Sequence, residues 1–142
     1  MLLRPQEELE LDDAENPHLM EELFEALGAD AVRFPYRTEC CGAYLSVSSA
    51  QVAWECSHRV LASARAHGAE VIATSCPLRQ FNLDKAQQEA GEQWGSFQPL
   101  PVVYFTELLG LALGLSAAEF GLGDYYIDPR PLLRDKGLLP GG

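Results

Sequence analysis

The amino-acid sequence predicts an α/β fold, a mostly parallel sheet flanked by helices in three layers. Two observations carry this expectation. Short apolar runs near 31–35, 70–75 and 102–105 read as strands, and each lies between segments with helical periodicity. The resulting order of helix, strand, helix, strand, helix, strand, helix calls for parallel strands joined by right-handed crossovers. A length of 142 residues suits a single domain that buries roughly two thirds of the surface its unfolded chain exposes.

The chain opens on a short apolar run, "MLLRP", followed by an acidic segment, Glu7 to Asp13, that reads as a solvated loop. Asn16 and Pro17 mark a helix start, because an Asn side chain caps free N–H groups and proline's fixed φ suits the first helical position. Leu19, Met20, Leu23, Phe24 and Leu27 then share one helical face before Gly28 ends it. "DAVRFPY" supplies a strand at 31–35 that runs directly into Cys40, Cys41 and Gly42. A long helix follows over 46–67, closed by His67 and Gly68. "EVIATS", 70–75, has a continuous apolar centre, as expected of a strand buried on both faces. Pro77, after Cys76, opens a helix that extends to Gly91 or Gly95. "LPVVYFTELLGLALGL" repeats the scheme, with a strand at 102–105, Thr106 as N-cap and a helix at 107–114. The tail from 115 onward, with Gly121, Gly123, Pro129 and Pro131, reads as irregular packing segments.

Ten basic and 21 acidic residues give a formal net charge of −11, which repels phosphate backbones and anionic membrane surfaces. Nucleic acid is therefore not an expected partner. Neither a signal-peptide pattern nor an apolar run long enough to span a bilayer is present, so a cytoplasmic protein without membrane insertion is expected. In a reducing compartment its four cysteines read as free thiols, ligands or catalytic groups rather than structural disulfides.

The chemistry is expected at those thiols. Cys40 and Cys41, and separately Cys76, each follow the carboxyl end of a predicted strand and precede a helix. In open α/β sheets that edge binds ligands, and a helix N-terminus there favours the thiolate that attacks disulfides or ligates metal. Gly42 permits a tight turn or a close approach beside the doublet. Cys56 differs: it sits mid-helix at four-residue spacing from Val52 and Val60, a core-packing position. His18, His58 and His67 read as surface or packing residues, without a zinc-type spacing. "GLGDYY" lacks the flanking strand and helix of a nucleotide-binding loop.

"YRTECCGAYLS", "GAEVIATSCPLRQFNLD" and "PVVYFTELLGLALG" together resemble the cysteine-rich CCG domain of heterodisulfide reductase B subunits and relatives. Those relatives include lactate-utilisation and glycolate oxidase iron-sulfur subunits. The resemblance is to the second of two such domains, which implies that residues 1–142 form one CCG-type domain and the C-terminal half of a larger subunit. It also implies a noncubane four-iron, four-sulfur cluster at which a disulfide is split in two one-electron steps. Cys40 and Cys41 match the family's double cysteine, Gly42 its glycine, and Cys76 with Pro77 the start of its closing Cys-Pro-x-Cys motif. Arg79 stands where the closing cysteine belongs, and an obligate cation cannot replace a thiolate ligand. The opening cysteine of the pattern falls immediately before Met1. The cluster is thus expected to be absent or degenerate, with zinc on the remaining thiols as an alternative. Arg79, turned toward the pocket, would stabilise a thiolate at Cys76 or bind an anion.

Two functions follow from these residues. The first is a redox protein like the heterodisulfide reductase B subunit, an oxidoreductase component working in electron transfer or thiol-disulfide chemistry through Cys40, Cys41 and Cys76. The alternative is a non-enzymatic interaction or assembly domain that keeps the CCG fold without its iron-sulfur cluster. Expected partners are other redox subunits, a second CCG domain, or a second copy forming a homodimer on an open sheet edge.

Overall fold

The computed structural model of the chain describes residues 12, 13 and 15–140, so the opening apolar run and most of the acidic segment lie outside the described residues. The chain divides into two compact units, residues 1–31 and 32–142. In the first, helix α1 spans Leu19–Ala26. It begins at Leu19 rather than at Pro17, because the capping acceptor comes from further upstream. The Asp12 carboxylate accepts the His18 N–H at 3.0 Å and the Leu19 N–H at 3.2 Å, satisfying donors that a helix start leaves open. These bonds hold the Asp12 carboxyl below its usual range, with the His18 N–H contributing most. Gly28, at φ 89°, provides the left-handed residue that follows the helix.

The second unit is mixed α/β. Its elements are helix α2 over Ala50–Ala66, strand β1 over Ile72–Thr74, helix α3 over Pro77–Ala90, strand β2 over Val102–Tyr104, helix α4 over Phe105–Ala112 and helix α5 over Arg130–Asp135. Strands β1 and β2 pair in parallel, with Ile72 opposite Val102, Ala73 opposite Val103 and Thr74 opposite Tyr104. Parallel pairing requires a crossover, and α3 supplies it. Helix α4 starts earlier than predicted, directly after β2, because Glu107 rather than Thr106 serves the helix start: its Oε2 accepts the Tyr104 N–H at 3.0 Å.

The predicted strand at 31–35 does not form. Residues 31–34 are irregular and a turn follows at Pro35 and Tyr36. Pro35 has no N–H for a ladder, and the Arg37 N–H closes the turn on the Phe34 carbonyl at 3.2 Å. Val32 and Phe34 meet the demand for burial without a strand, packing their side chains against the main core. Among the described residues the sheet therefore has two strands.

That core joins α2, β1, α3 and β2 through Val60, Leu61, Ile72, Leu83, Leu100 and Val102. Leu61, Leu83 and Leu100 are fully buried, each worth roughly 1.5–3 kcal/mol of apolar transfer. The tail is more ordered than its glycines and prolines predict: Leu122, Leu133 and Leu139 form a second cluster with Leu111 of α4.

Helix α3 explains how so many loops are held. Its sequence, "PLRQFNLDKAQQEA", shows no clear apolar stripe because its polar side chains bond backbone groups on several sides. Gln80 Nε2 donates to the Val102 carbonyl at 3.2 Å, and Gln87 both donates to the Leu100 carbonyl and accepts its N–H, at 2.9 and 2.7 Å. Asp84, buried, accepts the Tyr126 and Ile127 N–H groups at 2.8 and 2.9 Å. Burial pushes its carboxyl above the usual range, against those two bonds. The glutamine contacts satisfy backbone groups of the fully buried Leu100 and Val102, which would otherwise be unpaired, and the Asp84 bonds hold the exposed Tyr126 and half-buried Ile127 backbone. Two further residues of α3, Arg79 and Asn82, act on the segment carrying the cysteine doublet.

Candidate functional site

The doublet lies between the 34–37 turn and a single 3₁₀ turn, Ala43–Leu45. Gly42 joins the two at φ 76° and ψ 14°, a left-handed conformation that costs a residue with a Cβ roughly 1–2 kcal/mol. It also presses against α2: a Cβ there would lie 3.2 Å from Cys56 Cβ and 3.4 Å from both Ala53 Cα and Cys56 Sγ. Glycine thus meets two demands at once.

The two adjacent thiols occupy opposite environments. Cys40 is exposed, whereas Cys41 is 3% exposed and belongs to the main core cluster beside Val60, Leu61 and Leu83. Packing in the core is thus part of what Cys41 does. Its polar surroundings are the other part. Asn82 Nδ2 donates to the Cys41 carbonyl at 3.1 Å and to Ser57 Oγ at 2.9 Å, while Ser57 Oγ donates to the same carbonyl at 3.4 Å. Burial pushes the Cys41 thiol up. Hydrogen bonds to the sulfur from the Ala43 N–H and the Asn82 side chain act against that, as does the Arg79 charge, while Cys40 adds to the rise.

Arg79 is half-buried and is not a free anion site. Its guanidinium donates to the Arg37 carbonyl at 3.1 Å and to the Tyr36 carbonyl at 3.4 Å, and its Nε is buried without a hydrogen-bond partner. It clamps the turn before the doublet onto the first turns of α3. Cys76 is exposed at the N-cap of α3, with its N–H on Thr74 Oγ1 at 3.2 Å, and Pro77 is exposed at the first helical position. All four cysteines carry free thiols.

A four-iron cluster needs several thiolates converging on one place. Among the described residues no group of three or more Cys, His, Asp or Glu side chains is close enough to hold a metal ion. Cys40, Cys41 and Cys76 are thus not gathered into one ligand set, the Cys41 thiol is packed in the core, and the closing position holds a guanidinium bonded to two carbonyls. The donor set among the described residues fits neither the cluster nor a thiolate zinc site.

Three neighbours were not singled out as site residues from the sequence: Asn82, Ser57 and Cys56. Ser57 carries a readable signal, since it interrupts the otherwise apolar buried face formed by Ala53, Val60, Leu61 and Ala64. Asn82 is less legible, because α3 lacks a clear apolar stripe. Cys56 is half-buried on the flank of α2 against Gly42, not in the core as its spacing predicts. A depression of about 250 Å³ is lined by Gln80, Phe81, Asp84, Glu107, Asp124 and Tyr126 among others. It contains no cysteine.

Known proteins resemble this chain over most of its length. A family model described as "Cysteine-rich domain", CCG, matches residues 2–84. The chain is 35% identical over 130 residues to the 8-methylmenaquinol:fumarate reductase membrane anchor subunit of Wolinella succinogenes, covering 92% of this chain and 46% of that protein. It is 36% identical over 123 residues to the B subunit of the Ferredoxin/F(420)H(2)-dependent CoB-CoM heterodisulfide reductase of Methanosarcina acetivorans, covering 85% and 41%. The B subunit of the Ferredoxin:CoB-CoM heterodisulfide reductase of Methanosarcina mazei is 33% identical, again with 85% and 41% covered. The chain therefore spans less than half the length of these relatives. No helix among the described residues is long and apolar enough to cross a membrane.

Proposed function

The chain belongs to the cysteine-rich CCG domain family, and from that premise we propose that it is a redox module like the heterodisulfide reductase B subunit, working by thiol-disulfide exchange at Cys40 and Cys41. Its relatives are redox-enzyme subunits by name. Other redox subunits or a second CCG domain are its proposed partners, and residues 1–142 its single functional module. The observation that carries the reading is the contrast inside the doublet, one thiol open to solvent and its neighbour buried, with its peptide carbonyl held by Asn82.

An incoming disulfide meets Cys40 first. The Cys40 thiolate attacks one sulfur, the substrate S–S bond breaks, one substrate thiolate leaves, and a mixed disulfide remains. Cys41 then releases its proton to water and attacks the Cys40 sulfur. The second substrate thiolate leaves and a Cys40–Cys41 disulfide forms. The substrate gains two electrons and the doublet loses two, so a dithiol or other two-electron donor on a partner must restore the thiols. A disulfide between sequence neighbours is strained, and strain makes it easily reduced, which suits a carrier. Cys76, the other exposed site thiol, is a second point of entry.

The test is reaction with excess 5,5′-dithiobis(2-nitrobenzoate) in a Cys56→Ser, Cys76→Ser background. Two thionitrobenzoate equivalents are expected from the doublet. Cys41→Ser should stop at one and leave a mixed disulfide on Cys40, located by peptide mass spectrometry. Two thionitrobenzoate adducts retained on the doublet, in place of a Cys40–Cys41 disulfide two hydrogens lighter than the dithiol, would refute the scheme, as would a four-iron chromophore in anaerobically prepared protein. Arg79 in the closing-cysteine position favours a second reading, an assembly domain without redox turnover. In that case serine at Cys40 and Cys41 leaves partner binding and biological activity intact.

A further inference from the structure

We propose that Asn82 is a positioning residue for the doublet: it fixes the Cys41 peptide so that the buried thiol faces the Cys40 sulfur during resolution of the mixed disulfide. The inference rests on the exchange scheme above and adds a residue to it. Asn82 sits one and a half turns into α3, half-buried, and its side-chain amide bonds two groups at once, the Cys41 carbonyl at 3.1 Å and Ser57 Oγ at 2.9 Å. Ser57, fully buried, donates to the same carbonyl at 3.4 Å. Two donors from two different helices thus converge on one peptide oxygen, and Gly42 presses the next residue against α2.

These two side chains hold the carbonyl in place. Without the Asn82 amide, the Cys41 peptide would lose the shorter of the two side-chain bonds to its carbonyl. A one-ångström misplacement of reacting groups is enough to slow a reaction about a hundredfold. The charged and titratable groups acting on the Cys41 thiol are Cys40 and Arg79. The Asn82 amide bonds to the Cys41 carbonyl and Ser57 and not to Cys40 or Arg79; because it also opposes the rise of the Cys41 thiol, positioning has to be separated from thiol ionisation by pH.

The experiment is single-turnover reaction with 5,5′-dithiobis(2-nitrobenzoate) in the Cys56→Ser, Cys76→Ser background, with and without Asn82→Leu, followed across pH. Leucine keeps nearly the size of asparagine, removes the donor and adds no charge beside the thiol. The first release, attack by Cys40, should stay within about twofold of the parent, and the second, resolution by Cys41, should slow roughly tenfold, as expected for loss of a hydrogen bond worth about 1–1.5 kcal/mol. The slowing should persist at high pH, where the thiol is ionised in both proteins. Equal slowing of both phases, neither slowed, or slowing that vanishes at high pH overturns the proposal. Asn82→Ala is read the same way if the leucine variant does not fold. Should the parent release no second equivalent, the exchange scheme fails, and amide hydrogen exchange of residues 40–43 decides the positioning role alone. Faster exchange in Asn82→Leu upholds it; unchanged exchange overturns it.

Discussion

Replacing Gly42 by alanine separates the two demands placed on that residue. Its φ of 76° costs an L-residue roughly 1–2 kcal/mol. Gly68 offers a control in the same unit, since its φ is 88° but a Cβ there meets nothing within 4 Å. At Gly42 the added Cβ would sit 3.2 Å from Cys56 Cβ and 3.4 Å from Ala53 Cα. The first is tighter than an ordinary contact, and a Cβ fixed to helix α2 cannot swing aside, so crowding adds about 1 kcal/mol, the lower end for overpacking. Gly68→Ala should therefore cost about 1–2 kcal/mol and Gly42→Ala about 2–3 kcal/mol. Urea unfolding at neutral pH measures both, with equal m-values required for a direct comparison. Only Gly42→Ala should also slow thionitrobenzoate release from the doublet. If the two variants lose equal stability, the close approach of the doublet to α2 is not a constraint and the reasoning fails.

Arg79→Ala should destabilise the fold by about 1–2 kcal/mol, because two charge-assisted bonds to the Tyr36 and Arg37 carbonyls are lost while an unpartnered Nε is removed; urea unfolding measures it, and Arg79→Lys should recover only part, since lysine lacks the fork. Asp84 has a carboxyl pKa raised by burial, so its contribution to stability is fully present below about pH 4 and is lost as pH rises through its folded pKa. Asp84→Asn should therefore gain stability relative to the parent between about pH 4 and pH 7 in parallel unfolding curves; a difference that does not vary with pH would contradict this. Leu133→Ala should cost about 2–4 kcal/mol, as expected for a buried leucine, if the tail is integral to the fold. A cost below about 1 kcal/mol by urea unfolding would make the tail peripheral.

Much of the fold was legible because it rests on patterns of local origin. The apolar runs at 72–74 and 102–104 appear as strands, and Pro77 opens the helix between them, as its fixed φ dictates. Expectation and structure part where a group outside the local pattern decided. Asp12 caps α1 from outside the local window, and Glu107 from inside α4 moves its start forward. The run at 31–35 has strand composition, but burial of Val32 and Phe34 and the turn at Pro35 satisfy it without a ladder. The site divides the same way. The doublet, its glycine and Arg79 stand out in the sequence, whereas Asn82 and Ser57 become partners of Cys41 only when α2 and α3 pack together.

By itself the sequence determined the α/β class, the family, the identity of the candidate thiols and the substitution of Arg79 at the closing position, because all of these depend on residue type and spacing along the chain. Only the tertiary structure decided that Cys40 faces solvent while Cys41 is buried, that the Arg79 guanidinium clamps two carbonyls, and that three thiols do not converge into a metal site among the described residues. Burial, hydrogen-bond partners and convergence are properties of groups brought together from distant positions. Two adjacent cysteines therefore carry the same chemical letter and do different work, since packing against α2 and α3 withdraws one from water and leaves the other in it.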